Sequence, residues 1–216
     1  MATHTGSILS SVAEDCWYWY YNQLFTPAQV DRIHRICTRN EEEEALTGDN
    51  HDPELADHTV RKNKVIWSSD DELFGMLFPK LNEANAAAGW DYNITCCEPC
   101  QYTIYYGDNN HYDWHTDTSS TMPTQGITAN TIRKISCVIQ LSDAKDYEGG
   151  DFNLVSVDTE KEGESKTWQV RPVDIPHMKQ KGAAIFFPST LFHRVRPITD
   201  GTRRTLVTWF RGPKWV

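Results

Sequence analysis

The chain has 216 residues and a formal net charge of −9 at pH 7. A chain of this length can form one domain with a sizeable core, and we expect residues 1–216 to do so. It has no apolar run near the roughly 20 residues of a membrane helix, and residues 1–15 lack the basic and apolar regions of a signal peptide. The net acidity disfavours nucleic acid as a partner. These features predict a cytoplasmic protein that binds neither membranes nor nucleic acid.

The first part of the chain, residues 1–95, is predicted to be mainly helical. Thr26, Pro27 and Gln29 form a capping box with proline in the first turn of one helix. A second helix is expected to start near Ser69 with another capping box, and Pro79 is expected to kink it. Two helices at the front of the chain therefore indicate a supporting layer.

An acidic segment, residues 41–57, separates these two predicted helices. It holds eight acidic residues and no Lys or Arg, and it shows no regular apolar period. We interpret it as a mobile loop. It is either a solvated run of charge or a lid over a site.

From Cys96 onward the pattern changes to short strands rich in β-branched and aromatic residues, separated by turn signals. These strands are 101–107, 133–142, 150–157, 167–173, 182–189, 193–198 and 203–210. Many short strands preceded by helices predict a mainly β fold, a sandwich or barrel buttressed by helices. No alternation of strands and helices remains, which excludes a Rossmann fold.

The six cysteines are predicted to be free thiols, because no export signal accompanies them. They are Cys16, Cys37, Cys96, Cys97, Cys100 and Cys137. Cys97 and Cys100 form a CxxC pair, but a tetrahedral zinc site would need a second pair.

Two His-x-Asp pairs lie in the segment 111–117, as His111–Asp113 and His115–Asp117. Residues two apart on an extended segment point the same way, so either pair could offer a histidine and a carboxylate to one metal ion. His193, after a predicted buried strand, could supply a second histidine. Two histidines and one carboxylate that leave positions open are typical of mononuclear Fe(II) oxygenases.

Arg203 lies ten residues after His193 and is followed by Thr205. The diacid 2-oxoglutarate can chelate iron through its keto acid end, and its far carboxylate then needs a fixed cation. Arginine offers a bidentate fork for such a carboxylate, and a threonine hydroxyl can share the same oxygens. Because strand residues alternate, only one of Arg203 and Arg204 can face the pocket.

At this point the sequence resembles the prolyl 4-hydroxylase-like 2-oxoglutarate/Fe(II) dioxygenases, particularly the short bacterial and viral hydroxylases of this class. The resemblance runs from about Trp17 to Trp215. The motifs that carry it are Tyr105–Gly107, Tyr112–Asp117, Arg133–Ser136, Tyr147–Phe152, Phe187–Ser189, His193–Val195 and Gly201–Val207. It implies a double-stranded β-helix (jelly roll) with flanking N-terminal helices, with 96–216 as the jelly-roll core.

The resemblance also implies site residues and cofactors. The implied iron ligands are His115, Asp117 and His193, and the implied 2-oxoglutarate residues are Arg203, Thr205, Tyr105 and Gln140. The register selects His115 over His111, because similar enzymes often have an aromatic residue three positions before the ligand. The cofactors are Fe(II), 2-oxoglutarate and O2, and similar enzymes often use L-ascorbate to restore Fe(II). Arg203 stands where many prolyl 4-hydroxylases have lysine, and Gln140 where some relatives have a second pocket tyrosine.

The candidate substrate residues are Tyr112, Trp114, Arg133 and Trp209, with core packing as the alternative role of the tryptophans. Aromatic walls suit a proline ring, so the first hypothesis is hydroxylation of a prolyl residue in a peptide or protein. The second is hydroxylation of a small molecule or another side chain on the same scaffold. A non-catalytic jelly-roll binding module and a zinc hydrolase are less favoured, because neither gives Arg203 a role. The sequence does not indicate the oligomeric state.

Overall fold

The computed structural model describes residues 2–3, 16–47, 56–118, 122–162 and 165–215. In these residues, two α-helices precede most of a large antiparallel β-structure that includes two short 3-10 helices. The helices are α1 Pro27–Cys37 and α2 Asp71–Ala87, with 3-10 turns at Ala144–Asp146 and Pro176–Lys179. The strands are β1 Ala2–Thr3, β2 Trp19–Tyr21, β3 Glu43–Glu44, β4 Arg61–Lys62, β5 Lys64–Ser68, β6 Cys96–Cys97, β7 Cys100–Tyr106, β8 Asn110–His115, β9 Thr131–Gln140, β10 Tyr147–Gly149, β11 Phe152–Glu162, β12 Ser165–Asp174, β13 Ala184–Pro188 and β14 His193–Pro213.

The first helix begins as the sequence predicts, whereas the second begins one residue later. Thr26 caps α1, and its side chain and that of Gln29 each bond the backbone N–H of the other residue. Asp70, and not Ser69, caps α2, and its carboxylate accepts a hydrogen bond from the backbone N–H of Glu72. The predicted capping box at Ser69 is therefore wrong, because aspartate caps a helix as well as serine does and stands next to its first residue.

Each helix buries one face. The buried residues are Val30, Ile33, Ile36 and Cys37 in α1 and Leu73, Leu77, Leu81 and Ala84 in α2. Pro79 lies inside α2, which continues to Ala87. Within the described parts of the chain, no helix is long and apolar enough to cross a membrane.

The strands form two antiparallel sheets that share β14. The major sheet has the order β1-β2-β13-β9-β14-β7-β5-β3, and β6 also pairs with β14. In the minor sheet, the first part of β14 pairs with β8 on one side and with β10 and β11 on the other. Strands β4 and β12 extend this sheet by pairing with β8 and β11. The mainly β class with flanking helices is confirmed, and the two sheets have the arrangement expected of a jelly roll.

The N-terminal part of the chain contributes strands that the sequence analysis did not predict. β2 pairs with β13, and β5 pairs with β7, so both belong to the major sheet. The acidic segment also begins as a strand, because Glu43–Glu44 pairs with Lys64–Val65 and Glu44 forms an ion pair with Lys64. The loop prediction is therefore wrong for this short stretch. Residues 48–55, on which the possible lid depends, lie outside the described residues.

One long strand, β14, replaces two predicted strands. Residues 193–201 belong to the minor sheet and residues 202–213 to the major sheet, with Gly201 at a positive φ of 73° between them. The segment 100–115 follows β14 antiparallel throughout, first as β7 and then as β8. The two segments thus form one two-stranded ribbon that passes from one sheet to the other.

The ribbon turns at a pair of glycines. The backbone N–H of Gly107 donates a hydrogen bond to the carbonyl oxygen of Gly201 over 2.9 Å. A Cβ atom on Gly107 would lie only 2.6 Å from Cα of Asp200. The close backbone contact at this corner therefore requires glycine at position 107.

Alternate residues of β14 beyond the corner face two different cores. Leu206 and Phe210 belong to the larger apolar core, which also contains the buried faces of α1 and α2. Val207 belongs to the smaller core, to which both sheets contribute side chains. The residues Arg203, Thr205, Val207, Trp209 and Arg211 line a cavity of about 990 Å³. Strand alternation thus gives this cavity one complete wall.

Candidate metal centre and its cavity

Three of the predicted ligands come together at the inner end of the cavity. His115 on β8 and His193 on β14 are direct partners across the strand pair. Asp117 follows β8, and its backbone N–H donates to the carbonyl of Ser189 over 3.0 Å. His115 Nε2 lies 3.7 Å from Asp117 Oδ1, and His193 Nε2 lies 3.5 Å from Asp117 Oδ2. One potential ligand atom from each residue falls within 4.8 Å of the others, which is close enough for all three to bind one metal ion.

Each histidine is oriented by its other ring nitrogen. His115 Nδ1 lies 2.7 Å from the carbonyl oxygen of Asp113, and His193 Nδ1 lies 3.0 Å from that of Leu191. A carbonyl only accepts, so Nδ1 carries the proton and Nε2 presents a lone pair towards the shared centre. Both rings are therefore set in the tautomer that metal coordination requires.

Asp117 is buried and is held as a carboxylate. The hydroxyl of Ser136 donates to Asp117 Oδ2 over 2.6 Å, and the hydroxyl of Ser189 lies 2.9 Å from that of Ser136. Burial alone would raise the pKa of Asp117, but the two nearby histidines, Arg133 and the Ser136 hydroxyl outweigh it and hold the pKa below its usual value. The ionised form is the one that binds a metal.

Burial also acts on His115. Burial, together with the proximity of His193, lowers the pKa of His115. The ring of Tyr112 stacks on that of His115, with centroids 3.4 Å apart and planes at 12°. The lowered pKa favours the neutral imidazole, and a stacked aromatic ring keeps water from one of its faces.

The other His-x-Asp pair does not reach this centre. Both ring nitrogens of His111 lie near backbone carbonyl oxygens, Nδ1 at 2.8 Å from Asn109 and Nε2 at 3.2 Å from Thr59. Asp113 is exposed. The structure thus places the pair His115–Asp117 beside His193, and it places the pair His111–Asp113 away from this centre.

Arg203 lies fully buried on the wall of the same cavity. None of its three side-chain nitrogens has a hydrogen-bond partner among the described residues. Arg204 is half-buried and does not line the cavity, as strand alternation predicts. A buried guanidinium without any partner is costly, so the cavity offers a place for an anion beside Arg203.

Two of the other predicted co-substrate residues share this wall. Tyr105 is the direct cross-strand partner of Arg203, whose guanidinium carbon lies 5.5 Å from the tyrosine ring. Thr205 and Tyr105 are buried and line the cavity. Gln140 pairs with Thr205 in register but does not line the cavity.

The side chain of Gln140 is held by hydrogen bonds to residues outside the cavity lining. Its Nε2 donates to the carbonyl of Ser142 and to the hydroxyl of Tyr147, at 3.1 and 3.0 Å. Its Oε1 has no partner among the described side chains and backbone groups. Gln140 thus lies on the same face of the major sheet as Thr205 and Val138, but its amide is bonded to Ser142 and Tyr147 and does not line the cavity.

The bent ribbon explains why two separate pairs of site residues are each ten residues apart. His115 follows Tyr105 by ten residues, and Arg203 follows His193 by the same number. His115 pairs with His193 and Tyr105 with Arg203, one pair on each side of the corner. Ten residues of straight strand would separate the pairs by about 33 Å. The turn at the two glycines instead brings both pairs to one cavity.

Three of the four candidate substrate residues line the cavity, and Trp114 does not. Tyr112, Arg133 and Trp209 face it, and the guanidinium carbon of Arg133 lies 3.9 Å from the Trp209 ring centroid. Trp114 instead packs against Arg194. In a regular strand Tyr112 and Trp114 would lie on one face, but the register of β8 against β14 shifts between Tyr112 and His115, and Tyr112 stacks on His115. The structure therefore does not place Trp114 with the other three candidates.

Sequence reasoning missed several residues of the cavity wall. Glu98 forms ion pairs with Arg133 and Arg211, and Arg61 stacks on the ring of Tyr112. Glu98 lies inside the CxxC segment, which was considered only for its thiols. All six cysteines lie in the described part of the chain and are free, as predicted.

Comparisons with known proteins agree with this geometry. Residues 100–211, just over half of the chain, match the family described as the 2OG-Fe(II) oxygenase superfamily. A PKHD-type hydroxylase of Azoarcus sp. (strain BH72) is 30% identical over 102 residues, which cover 47% of this chain and 38% of that protein. A PKHD-type hydroxylase of Polaromonas sp. (strain JS666) is 31% identical over 106 residues, covering 49% of this chain and 40% of that protein. The matched stretch thus spans less than half the length of these relatives.

Solved structures resemble the chain over most of its length. A prolyl-4-hydroxylase from Pseudomonas putida has a TM-score of 0.61 and 16% identity, and the match covers 91% of this chain and 93% of that one. A prolyl hydroxylase from Trichoplax adhaerens, solved with a hypoxia inducible factor oxygen degradation domain peptide fragment, has a TM-score of 0.57 and 17% identity. That match covers 90% of this chain and 83% of the other. At these identities the likeness shows the shared fold.

Proposed function

Because the chain belongs to the 2OG-Fe(II) oxygenase superfamily, we propose that it is an Fe(II)- and 2-oxoglutarate-dependent hydroxylase. The observation that carries this proposal is the fully buried guanidinium of Arg203, which lies in the same cavity as the three ligand candidates and has no hydrogen-bond partner in the described parts of the chain. A zinc hydrolase or a binding module built on the same three ligands would leave this cation without a function.

The residues present fit the two groups that the family requires. Two neutral imidazoles and one carboxylate are a donor set that suits Fe(II) and leaves coordination positions open. A dicarboxylic acid that chelates the metal through one end can present its other carboxylate to Arg203, with Thr205 beside it. Charge-assisted hydrogen bonds between guanidinium and carboxylate are stronger than neutral ones.

The protein's part in the reaction is to bind, orient and exclude water. When bound, Fe(II) together with 2-oxoglutarate and O2 supplies the oxidising power that converts a C–H bond into C–OH, with succinate and CO2 as the other products. Ser136 and the backbone carbonyls of Asp113 and Leu191 hold the three ligands in their binding orientations. No side chain has to act as a general base.

Aromatic rings shield the metal ligands from solvent. Tyr112 covers one face of His115, and the rings of Phe152 and Phe187 lie 5.9 and 4.8 Å from that of His193. A dry surrounding strengthens the electrostatic contacts that hold the co-substrate and prevents side reactions with water.

The finer proposal is that the substrate is a prolyl residue in a peptide or protein. Its support is that structural neighbours are named prolyl hydroxylases, one of them solved with a peptide. Trp209 and Tyr112 also offer aromatic surfaces to a proline ring in the cavity. A small molecule or another side chain on the same scaffold is the second candidate, since a shared fold does not determine the substrate.

The first test is the conversion of 2-oxoglutarate to succinate in air, with added Fe(II), by the wild-type protein and two alanine variants. We expect turnover in the wild type without any added substrate, since slow uncoupled turnover is common in this class. His115→Ala should lower it by about a thousandfold or more because one of only three ligands is lost. His111→Ala is the matched control and should retain the wild-type rate.

Failure would be recognised in either of two ways. Equal turnover in His115→Ala and wild type would contradict the ligand assignment. Absence of both turnover and metal-dependent 2-oxoglutarate binding in the wild type would exclude the oxygenase function.

If turnover is found, proline peptides and free amino acids are compared as stimulators of it, with and without ascorbate as a reductant for Fe(II). We also propose a cytoplasmic location, because the six cysteines are free thiols and the cytoplasm keeps thiols reduced.

A further inference from the structure

Four arginines line the cavity, and two of them lack an acidic partner. Arg133 and Arg211 share the carboxylate of Glu98. Arg203 and Arg61 form no ion pair with any described residue, although both are at least nine-tenths buried. The proposed function assigns an anion to Arg203 but leaves Arg61 as a second uncompensated cation.

The partners of Arg61 are all neutral. Its Nη1 donates to the carbonyl of Leu46 over 2.8 Å, Nη2 to Oε1 of Gln101 over 3.2 Å, and Nε to Oδ1 of Asn63 over 3.3 Å. A guanidinium carries five N–H groups. One N–H on each terminal nitrogen therefore has no partner in the described parts of the chain. These two groups could form a bidentate pair with one carboxylate.

Arg61 lies one aromatic ring away from the metal centre. Its guanidinium carbon is 4.5 Å from the centroid of the Tyr112 ring. The same ring stacks on His115 with centroids 3.4 Å apart. The cation–π contact with Tyr112 offsets only part of the cost of burying a charge. An anion bound at Arg61 would lie beside the position where a substrate meets the metal.

The co-substrate does not need Arg61. Its two carboxylates are already assigned, one to the metal and one to Arg203. Among the described acids that line the cavity, Glu44 is paired with Lys64 and Glu98 with two arginines. Glu43 also lines the cavity, and it forms no ion pair with Arg61. The described residues thus leave the free N–H groups of Arg61 to a carboxylate that enters with the substrate.

We propose that Arg61 binds a carboxylate of the substrate, so that the enzyme hydroxylates a carbon held close to an acidic group. This inference rests on the proposed hydroxylase function and specifies its substrate class. The carboxylate is the free acid of a small substrate, the C-terminus of a peptide, or an acidic side chain next to the reactive residue. All three sources present the same chemistry to Arg61.

The test compares acids with their neutral amides on otherwise identical probes. The panel contains L-proline and L-prolinamide, a pentapeptide with central proline as C-terminal acid or amide, and the same pentapeptide with Asp or Asn, and Glu or Gln, beside the proline. Binding is measured by isothermal titration under nitrogen to protein loaded with Fe(II) and 2-oxoglutarate, so that no turnover occurs. The variants are Arg61→Gln, Arg61→Lys and the neighbouring Lys62→Gln, whose ammonium instead pairs with Asp108.

We expect at least one acid to bind the wild type about tenfold to a hundredfold more tightly than its amide, as a charged hydrogen-bonded pair predicts. Arg61→Gln should abolish this preference and leave the affinity for the amide unchanged. Arg61→Lys should keep part of the preference, and Lys62→Gln all of it. The pair that shows the preference identifies the source of the carboxylate.

Three results would overturn the proposal. The first is a panel in which the wild type prefers no acid over its amide. The second is an Arg61→Gln variant that binds acid and amide equally poorly, which would give Arg61 only the structural role of holding Leu46. The third is a marked loss of 2-oxoglutarate affinity in Arg61→Gln, which would assign Arg61 to the co-substrate. Uncoupled turnover of 2-oxoglutarate remains in the first case, so the hydroxylase function would survive.

Discussion

The two ends of the cavity are built on opposite principles. At the metal end every ligand is held in place by a protein group, with short hydrogen bonds to Asp117 and to the Nδ1 atoms of both histidines. At the other end, where we propose that the co-substrate binds, Arg203 is fully buried, yet none of its side-chain nitrogens has a hydrogen-bond partner among the described residues. The metal end is thus organised before any ligand binds, whereas the other end becomes electrostatically complete only with an anion.

The metal end is stabilised by hydrogen bonds within the protein, whereas the Arg203 end would be stabilised by a bound ligand. A preorganised metal end favours binding because its ligands need no rearrangement. An unpartnered arginine lowers the stability of the empty protein, and this cost is recovered when a carboxylate binds. Substitutions at the two ends should therefore change the stability of the empty protein in opposite directions.

Of the substitutions that compare the two ends, Arg203→Met is expected to change the kinetics most. We expect the KM for 2-oxoglutarate to rise about a hundredfold, because charge-assisted hydrogen bonds to the far carboxylate are lost. The empty protein should become more stable by about 1 to 3 kcal/mol, since a buried uncompensated charge is removed. Succinate formation and urea denaturation measure the two quantities.

Arg204→Met is the matched control for this change, because it removes a neighbouring arginine that does not line the cavity. We expect its KM to remain within about twofold of the wild-type value. A destabilised Arg203→Met protein would contradict the contrast between the two ends, because it would show that the guanidinium already has a favourable environment.

Gly150→Ala should displace the side chain of Arg203 without changing any residue that lines the cavity. Gly150 has a φ of 65°, and a Cβ atom there would overlap Cδ1 of Ile198 and lie 3.1 Å from Cδ of Arg203. We expect a loss of about 2 to 4 kcal/mol in the free energy of unfolding and a raised KM for 2-oxoglutarate. Metal affinity should be little changed, since the three ligands lie on other residues.

Gly75→Ala provides the comparison for this glycine substitution. Gly75 is exposed within α2, and an added Cβ would meet no atom within 4 Å. The alanine should stabilise the protein by about 0.5 to 1 kcal/mol through helix propensity. If both alanines had the same effect, the proposed contact between position 150 and Arg203 would have no support.

Ser136→Ala is the mildest of the three and tests the metal end. It removes the hydrogen bond to Asp117 Oδ2, and we expect the affinity for Fe(II) to fall about tenfold. The KM for 2-oxoglutarate at saturating Fe(II) should be unchanged. Ser189→Ala removes a hydroxyl one bond further away, so its effect on metal affinity should be smaller. A larger effect for Ser189→Ala would contradict the direct role of Ser136, because the Ser189 hydroxyl is linked to the Asp117 carboxylate through the Ser136 hydroxyl.

The sequence predicted the metal-binding residues better than the rest of the cavity. The His-x-Asp pair can be recognised in three consecutive residues. His193 and Arg203 can be recognised by their spacing of ten residues, which does not depend on how the strands pair. The structure brings these residues together as expected. The end of α1 nearest the N-terminus was also predictable, because a capping box is local.

Contacts between distant segments were not predictable in the same way. Arg61 and Glu98 face the cavity because of pairings with strands far along the chain, and neither lies in a motif that indicates a site. In a regular strand Trp114 would share the face of Tyr112, and the irregular register of β8 against β14 is not visible in the sequence. The short strand β3 consists of two glutamates and forms only by pairing with β5, so a prediction of a mainly helical N-terminal part with an acidic loop does not include it. The aromatic residues of β2 do favour a strand, but its three residues are too few to show a period.

The glycine corner of the ribbon decides how far apart the three proposed metal ligands and Arg203 lie. In the proposed complex with 2-oxoglutarate, the two ends of the acid bind to groups on the same pair of strands, one on each side of Gly107 and Gly201. The length of dicarboxylic acid that fits is therefore determined by the angle of the backbone at this bend. Shorter and longer diacids would meet the same two binding groups at the wrong separation. Discrimination among dicarboxylic acids by length thus depends on two positions that need not contact the acid.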